Sequence, residues 1–363
     1  MVVIMILTIY RPFHRSVTPL YHEAARNWWA GKDLYAGPSG MNYLPHFAVL
    51  FTPFQKLPVP VGDILWRFCA AGLLANGLWR LVRQRFGENA PCVFLCVTLI
   101  SLPVSLPALQ NGQANAMFGA LTLQAAAALA GQRWTDAAIW TLLALAVKPL
   151  GAVLLLLAPV VYAPMRRRLA VGLVILALSP FLFAPTAYVL GQHQSAARNL
   201  QACSVVAEHR FADISGILRT FHCEMSPLIS KGVRVCAGGI VLALWWLGAR
   251  RLREPMKALW LLALATGYLM LFNPMNEANS YVIVAPALGW WAAEMLSSRA
   301  DRRAGWLFAG IALTMGCMPN LLRPLCGNAF ALIWHPSMTA VFLVILARWV
   351  LQQNPEPAPA AVA

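Results

Sequence analysis

Apolar bands of roughly 15 to 25 residues, set apart by short basic clusters, recur from about residue 62 to residue 350, and nothing else narrows the possible folds as much. A hydrocarbon slab about 30 Å thick offers the backbone no water, so every N–H and C=O must be bonded inside a helix or around a closed barrel. Barrel strands read as alternating segments of about ten residues. The band AAIWTLLALAVKPLGAVLLLLAPVVYA (137–163) does not alternate. Hydrophobic residues make up 60% of the chain and charged residues 11%, with a mean hydropathy of +0.62, outside the range of soluble domains. The expected fold class is all-α: a polytopic transmembrane helical bundle with about 9–11 membrane helices, short or re-entrant ones included. It is expected to form a single membrane domain over residues 1–350, followed by a disordered cytoplasmic tail at 351–363.

The 28 Lys and Arg against 13 Asp and Glu give a net charge of +15. In a soluble protein that excess would suggest nucleic acid. Here the basic residues gather between apolar bands, at Arg80–Arg85, Arg166–Arg168, Arg250–Lys257 and Arg299–Arg303, which is the positive-inside pattern and excludes a nucleic-acid partner. Counting crossings from these clusters puts the C-terminus in the cytoplasm and NPMNEANSY (273–281) outside. Residues 11–42 and 186–229 are then extracytoplasmic segments. Pro149 removes a backbone donor and disfavours helix at Lys148, so the band 137–163 is expected to break there into two short helices. With that break, LQNGQ (109–113) and Lys148 fall on the outer side too. YLPHFAVLFTPFQKLP (43–58) is too short and too proline-punctuated for an ordinary span, so it is expected to be re-entrant or interfacial. MVVIMILTIY, at about 15 Å of helix, is expected to be either the end of a longer span or a partly inserted helix. Five of the eight cysteines, Cys69, Cys92, Cys96, Cys236 and Cys317, fall in apolar bands and read as small packing residues. Cys203 and Cys223 could form a disulfide in the outer segment.

The polar residues inside such a chain are its candidates for chemistry. An ammonium within a membrane band costs about 2.5 to 3.5 kcal/mol on insertion scales, so Lys148 needs a partner or a polar cavity, and a lipid phosphate would serve; a plain snorkelling lysine is the alternative. LQNGQANAM places Gln110, Asn111, Gln113 and Asn115 within six residues. Asn111 and Asn115 share a helix face, Gly112 permits a tight turn, and the group suits either sugar hydroxyls or bonds to a neighbouring helix. In NPMNEANSY, Glu277 stands between Asn276 and Asn279 just after a proline-broken helix end; a solvated turn is the alternative there. The outer segment 186–229 carries Arg198, Asn199, Glu208, His209, Arg210, Asp213, Arg219 and His222; two of its arginines could hold a diphosphate or phosphodiester, and a solvated charged loop is the alternative. YHEAARNWW has a helical pattern with Tyr21, Ala25 and Trp28 on one face and Glu23 on the other, and Glu23 is the nearest candidate general base.

These pieces, in this order, resemble the polytopic glycosyltransferases of family 87. The resemblance runs from AARNWWAGKDLY through YLPHFAVLFTPFQKLP, LQNGQAN and LALAVKPLGAVLLLLAP to the Asn-Pro loop near 273, with FADISGILRTF similar to the family's external-loop segment. It implies a C-type enzyme of the mannosyltransferase kind, using a polyprenyl-phosphate sugar. The enzyme would transfer a hexose such as mannose to a lipid or glycan acceptor, at the outer face of a bacterial-type inner membrane. The implied partners are that donor, the acceptor and membrane lipids. Lys148 and Arg219 would hold the donor phosphate, and Gln110, Asn111, Gln113, Asn115, Asn276, Glu277 and Asn279 the sugar or acceptor. Such enzymes carry an aspartate a few residues before the Tyr-x-x-Ala-Ala stretch, where this chain has Arg15, Ser16, Val17 and Thr18. The catalytic carboxylate then falls to Glu23, with Asp33 next, and Glu277 could approach from another loop. No metal and no cofactor are expected, because a lipid monophosphate leaves without a nucleotide diphosphate and no Asp-x-Asp pair is present. A transporter or lipid-linked sugar flippase, and an inactive relative serving as a structural subunit, are the competing readings.

Overall fold

The apolar bands fold as helices, and several of these end at a glycine or just before a proline, as at Gly87, Gly112, Gly131 and Pro149, while Pro103, Pro107 and Pro336 lie inside helices. The computed structural model describes residues 16–36, 41–203, 211–298 and 301–354. In chain order the α-helices are α1 Thr18–Trp29, α2 Pro45–Gln55, α3 Val59–Phe86, α4 Ala90–Asn111, α5 Ala114–Ala130, α6 Trp134–Val147, α7 Ala152–Val161 and α8 Ala163–Leu178. They continue with α9 Thr186–Cys203, α10 Ile214–Thr220, α11 Pro227–Ala249, α12 Met256–Phe272, α13 Ala285–Ser297, α14 Arg302–Cys326 and α15 Ala329–Gln352. No strand occurs among the described residues, in line with the all-α expectation. The N-terminal apolar run and the Pro-rich tail from 355 onward lie outside them.

The centre of the bundle is α5, α12 and α13. Ala114 to Leu129 are buried without a break, as are nearly all of α12 and α13. A helix that is apolar all round has no face to give to water and must be enclosed by others. Alanine and glycine along α5 let α3, α6 and α12 approach it closely. The outer helices show the reverse pattern: Leu95, Leu99, Val235, Ile240, Leu313 and Val344 are all more than half exposed. Apolar side chains turned outward in such number need lipid rather than water.

Among the described residues, four stretches are long and apolar enough to cross a membrane: the near-continuous helical run 59–111, then α11, α14 and α15, with mean hydropathies over an 18-residue window of 2.2, 1.6, 1.4 and 1.9. The chain is an integral membrane protein. α2, at 11 residues with Pro53 inside it, is about 16 Å long and cannot cross the slab. Instead it packs Phe47, Ala48 and Phe51 against α1, α3 and α6.

Three local expectations differ from the structure. The segment 186–229 is largely helical rather than a loop, because α9 has no proline inside it and buries Val189, Gln192 and Ala196 on one face. Cys203 and Cys223 are both free, and the Cys203 thiol faces Asn42 and Asn199. Cys69, Cys92, Cys236 and Cys317 are exposed on outward faces rather than packed inside. The basic clusters, by contrast, meet across the bundle. Arg85 at the end of α3 pairs with Glu294 near the end of α13 at 2.8 Å, Tyr162 donates to Glu254, and Arg251 donates to the carbonyls of Leu351 and Gln353.

Candidate active-site cavity

The LQNGQANAM stretch is a helix end followed directly by a helix start. Gly112 closes α4 in the left-handed region, at φ +65°, and the Gln113 N–H bonds back to the Ala108 carbonyl at 3.0 Å. A side chain at 112 is excluded, since its Cβ would stand 2.8 Å from Thr18 Cγ2 and 2.9 Å from Arg67 Cζ. Gln113 then takes an extended conformation and α5 begins at Ala114. The turn therefore delivers Gln113 and Asn115 side by side at the start of the most buried helix.

Two other breaks in the bundle reach the same place. Lys148, extended between α6 and the turn Pro149–Gly151, donates from Nζ to Asn115 Oδ1 and stands 5.3 Å from the Tyr43 ring centre. Glu277 precedes the short turn Ala278–Ile283, and its backbone N–H donates to Ser280 Oγ at 3.2 Å. Gln113 Nε2 donates to Glu277 Oε2 at 3.3 Å, while Asn115 Nδ2 donates to Gln113 Oε1 at 3.0 Å and to Ser280 Oγ at 3.1 Å. The result is a closed polar ring of Glu277, Gln113, Asn115 and Ser280, with an ammonium attached.

This ring forms one wall of a cavity of about 420 Å³, within the usual range for small-molecule sites. Other walls come from Val17, Leu20, Tyr21, Met41, Asn42 and Tyr43, from Pro149 and Leu150, from Leu200, Cys203, Phe211 and Arg234, and from Asn273, Pro274 and Met275. Two cations, Lys148 and Arg234, and a single carboxylate, Glu277, face it among the described residues. The Tyr21 hydroxyl accepts from the Ala114 N–H at 3.0 Å and meets the Tyr43 hydroxyl at 3.1 Å, and burial pushes the Tyr21 phenol up to about 12. Among the described residues no group of three or more His, Cys, Asp or Glu side chains is placed to hold a metal ion.

The cavity takes in only part of the residue set singled out from the sequence. Gln113, Asn115, Lys148 and Glu277 line it together. Gln110 is exposed and Asn111 half-buried outside it, and both contribute carbonyls: Gln110 O accepts from Arg67 Nε at 3.2 Å and Asn111 O from the Val17 N–H at 3.0 Å. Asn276 is wholly buried, its amide donating to the Leu269 and Met270 carbonyls at 2.6 and 2.9 Å, so it caps α12 rather than facing the cavity. Asn279 does not line it. Glu23 lies on the exposed face of α1, opposite Tyr21, and Asp33 is exposed, accepting from the Tyr35 N–H at 3.1 Å. Arg219 folds onto Asp213 at 3.5 Å, away from the lining.

The sequence reading passed over Arg234, Asn273, Ser280 and the two tyrosines. Arg234 had a usable signal. It stands in KGVRVCAGGIVLALWW, a cation in an apolar band, and the argument applied to Lys148 applies to it equally. The family model for glycosyltransferase family 87 matches residues 42–274, more than half of the chain and all of these cavity walls except residues 17–41, 275, 277 and 280. No curated protein and no solved structure matches the chain.

Proposed function

Because the chain belongs to glycosyltransferase family 87, we propose that this membrane glycosyltransferase moves a hexose, mannose being the first to test, from a polyprenyl phosphate to a lipid or glycan acceptor. The cavity would open to the extracytoplasmic side of a bacterial-type inner membrane. One observation carries the reading: among the described residues, two cations, one carboxylate and a set of amides share a cavity whose remaining walls are largely apolar. That mixture suits a ligand with one phosphate, one sugar and a hydrocarbon chain.

In this scheme Lys148 and Arg234 hold the donor phosphate, and Asn115 keeps the Lys148 ammonium aimed into the cavity. Arg234 takes the role that the sequence suggested for Arg219. Asn42, Gln113 and Asn273 supply donors and acceptors for sugar hydroxyls. Glu277 replaces Glu23 and Asp33 as the base. The acceptor oxygen attacks the anomeric carbon from the face opposite the phosphate, and its proton passes to the Glu277 carboxylate. The bond from the anomeric carbon to the phosphate oxygen breaks, and its electron pair leaves with the polyprenyl phosphate. The departing charge is balanced by the two cations already beside it.

Membranes supplied with a radiolabelled polyprenyl-phosphate hexose test the scheme. Glu277→Gln is expected to lower transfer by about 10²- to 10⁴-fold while donor still binds. Lys148→Ala weakens donor binding itself, and Glu23→Gln transfers like the parent. Full transfer by Glu277→Gln together with loss in Glu23→Gln returns the base to α1. A parent protein that moves labelled donor across the bilayer without transferring sugar supports the flippase reading instead.

A further inference from the structure

The cavity does not use a densely bonded, buried polar cluster at the start of α3. Asp63, in the first turns of α3, is 1% exposed; it accepts from Thr18 Oγ1 at 2.6 Å and bonds His22 Nε2 at 2.9 Å. Arg67, one turn further along, is 3% exposed and stands 3.7 Å from the Asp63 carboxylate. All three guanidinium nitrogens are engaged: Nη1 donates to the Asp63 carbonyl at 2.9 Å, Nη2 to Ser16 Oγ at 2.9 Å and Nε to the Gln110 carbonyl at 3.2 Å. Between them, Trp66 Nε1 donates to the Gly112 carbonyl at 2.9 Å.

One turn of α3 thus grips two segments distant in sequence, the start of α1 and the turn that ends α4. A buried ion pair is poor evidence of a gain in stability, because an apolar substitute of similar volume is often as good. Directed bonds to three elements fix relative position, which apolar contacts do less sharply. The missing Cβ at Gly112 leaves room for Arg67 and Thr18 to close over the turn. Three residues beyond Gln110 is Gln113, the donor to Glu277.

We propose that Asp63 and Arg67 are positioning residues: they clamp the 110–113 turn to the start of α1 and so hold Gln113 against the Glu277 carboxylate. The catalytic consequence rests on the assignment of Glu277 as base; the clamp itself does not. Arg234 on α11 and Lys148 at the end of α6 make no bond to the clamp, so the site is expected still to fill at saturating donor when the clamp is lost.

Full-length protein in lipid nanodiscs separates the two claims. Hydrogen exchange read by mass spectrometry is expected to accelerate at least tenfold over 109–116 in Arg67→Gln and Asp63→Asn, with 258–271 unchanged. Thr18→Val, which removes the hydroxyl's bonds to Asp63 and Ser16 but little volume, should give a smaller rise in the same segment and covers the case in which the charge variants fail to fold. Unchanged exchange over 109–116 in all folded variants, or an equal rise over 258–271, overturns the clamp. With labelled polyprenyl-phosphate hexose, the variants should bind donor at parental stoichiometry and transfer at least tenfold less sugar per donor bound. Parental transfer per bound donor overturns the link to Glu277. A parent that transfers nothing, with exchange still accelerated locally in the variants, overturns the assignment of Glu277 and supports the clamp.

Discussion

Asp213 sets burial against charge most plainly among the residues outside the membrane-spanning helices. It is 1% exposed and caps α10 by accepting from the Gly216 N–H; desolvation lifts its carboxyl to about 6, against that hydrogen bond and the nearby charges of Arg219 and Arg234. A carboxyl raised above its ordinary 3.8 adds stability that is complete below that pH and is lost as pH rises through about 6. The thermal unfolding midpoint of the parent is therefore expected to fall across that window relative to Asp213→Asn. Asparagine keeps the cap but does not ionise, so the variant should show the flatter profile. Parallel profiles for the two proteins would disprove the burial account. Lys148 raises the related question inside a band, and there the sequence went most of the way. The cost of an unpartnered ammonium demanded a polar partner, but only the fold made that partner Asn115. Asn276 and Glu277 show what residue type alone leaves open. Both are polar neighbours in one short loop, yet one is consumed by the carbonyls ending α12 and the other faces the cavity.

At the scale of elements, the interruption between α6 and α7 has a cause that the sequence exposes and a tightness that it does not. Pro149 accounts for the break. The close return of the chain depends on Gly151, whose Cβ would lie 2.5 Å from the Leu145 backbone nitrogen. Gly151→Ala must therefore shift backbone, at about 1–3 kcal/mol, and it should carry Lys148 with it. A lower unfolding midpoint together with weaker donor binding is the expected result. Gly232→Ala on α11, where nothing stands within 4 Å, serves as the control and should be neutral or slightly stabilising. Equal effects from the two substitutions would remove the argument for a tight turn. The helical character of 186–203 escaped the sequence reading because α9 is polar enough to pass for a loop. Its partners are specific contacts, such as Gln192 Oε1 accepting from the Leu34 N–H at 3.0 Å, that no local pattern announces.

Across the whole molecule, the polar breaks and the basic clusters sit at opposite ends of the same helices. α3 begins at the Asp63 clamp and ends at the Arg85–Glu294 pair; α5 begins at the cavity, and α6 ends there. If the basic end is cytoplasmic, Cys223 kept as the sole cysteine should react with an impermeant maleimide in intact cells. A cysteine at Arg303→Cys in a background without other cysteines should react only in inverted vesicles. The opposite labelling pattern would invert the orientation and move the proposed chemistry to the cytoplasm. The sequence by itself determined that this protein is a membrane-embedded helical bundle, where most of its helices break, and which polar residues need explaining. Those properties follow from hydropathy and backbone hydrogen bonding, which act over a few turns. Only the tertiary structure decided that Gln113 meets Glu277 across 164 residues, that Arg234 rather than Arg219 faces the cavity, and that Glu23 does not. Those outcomes depend on how each helix is rotated, and rotation is fixed by packing against distant helices that the local pattern does not encode.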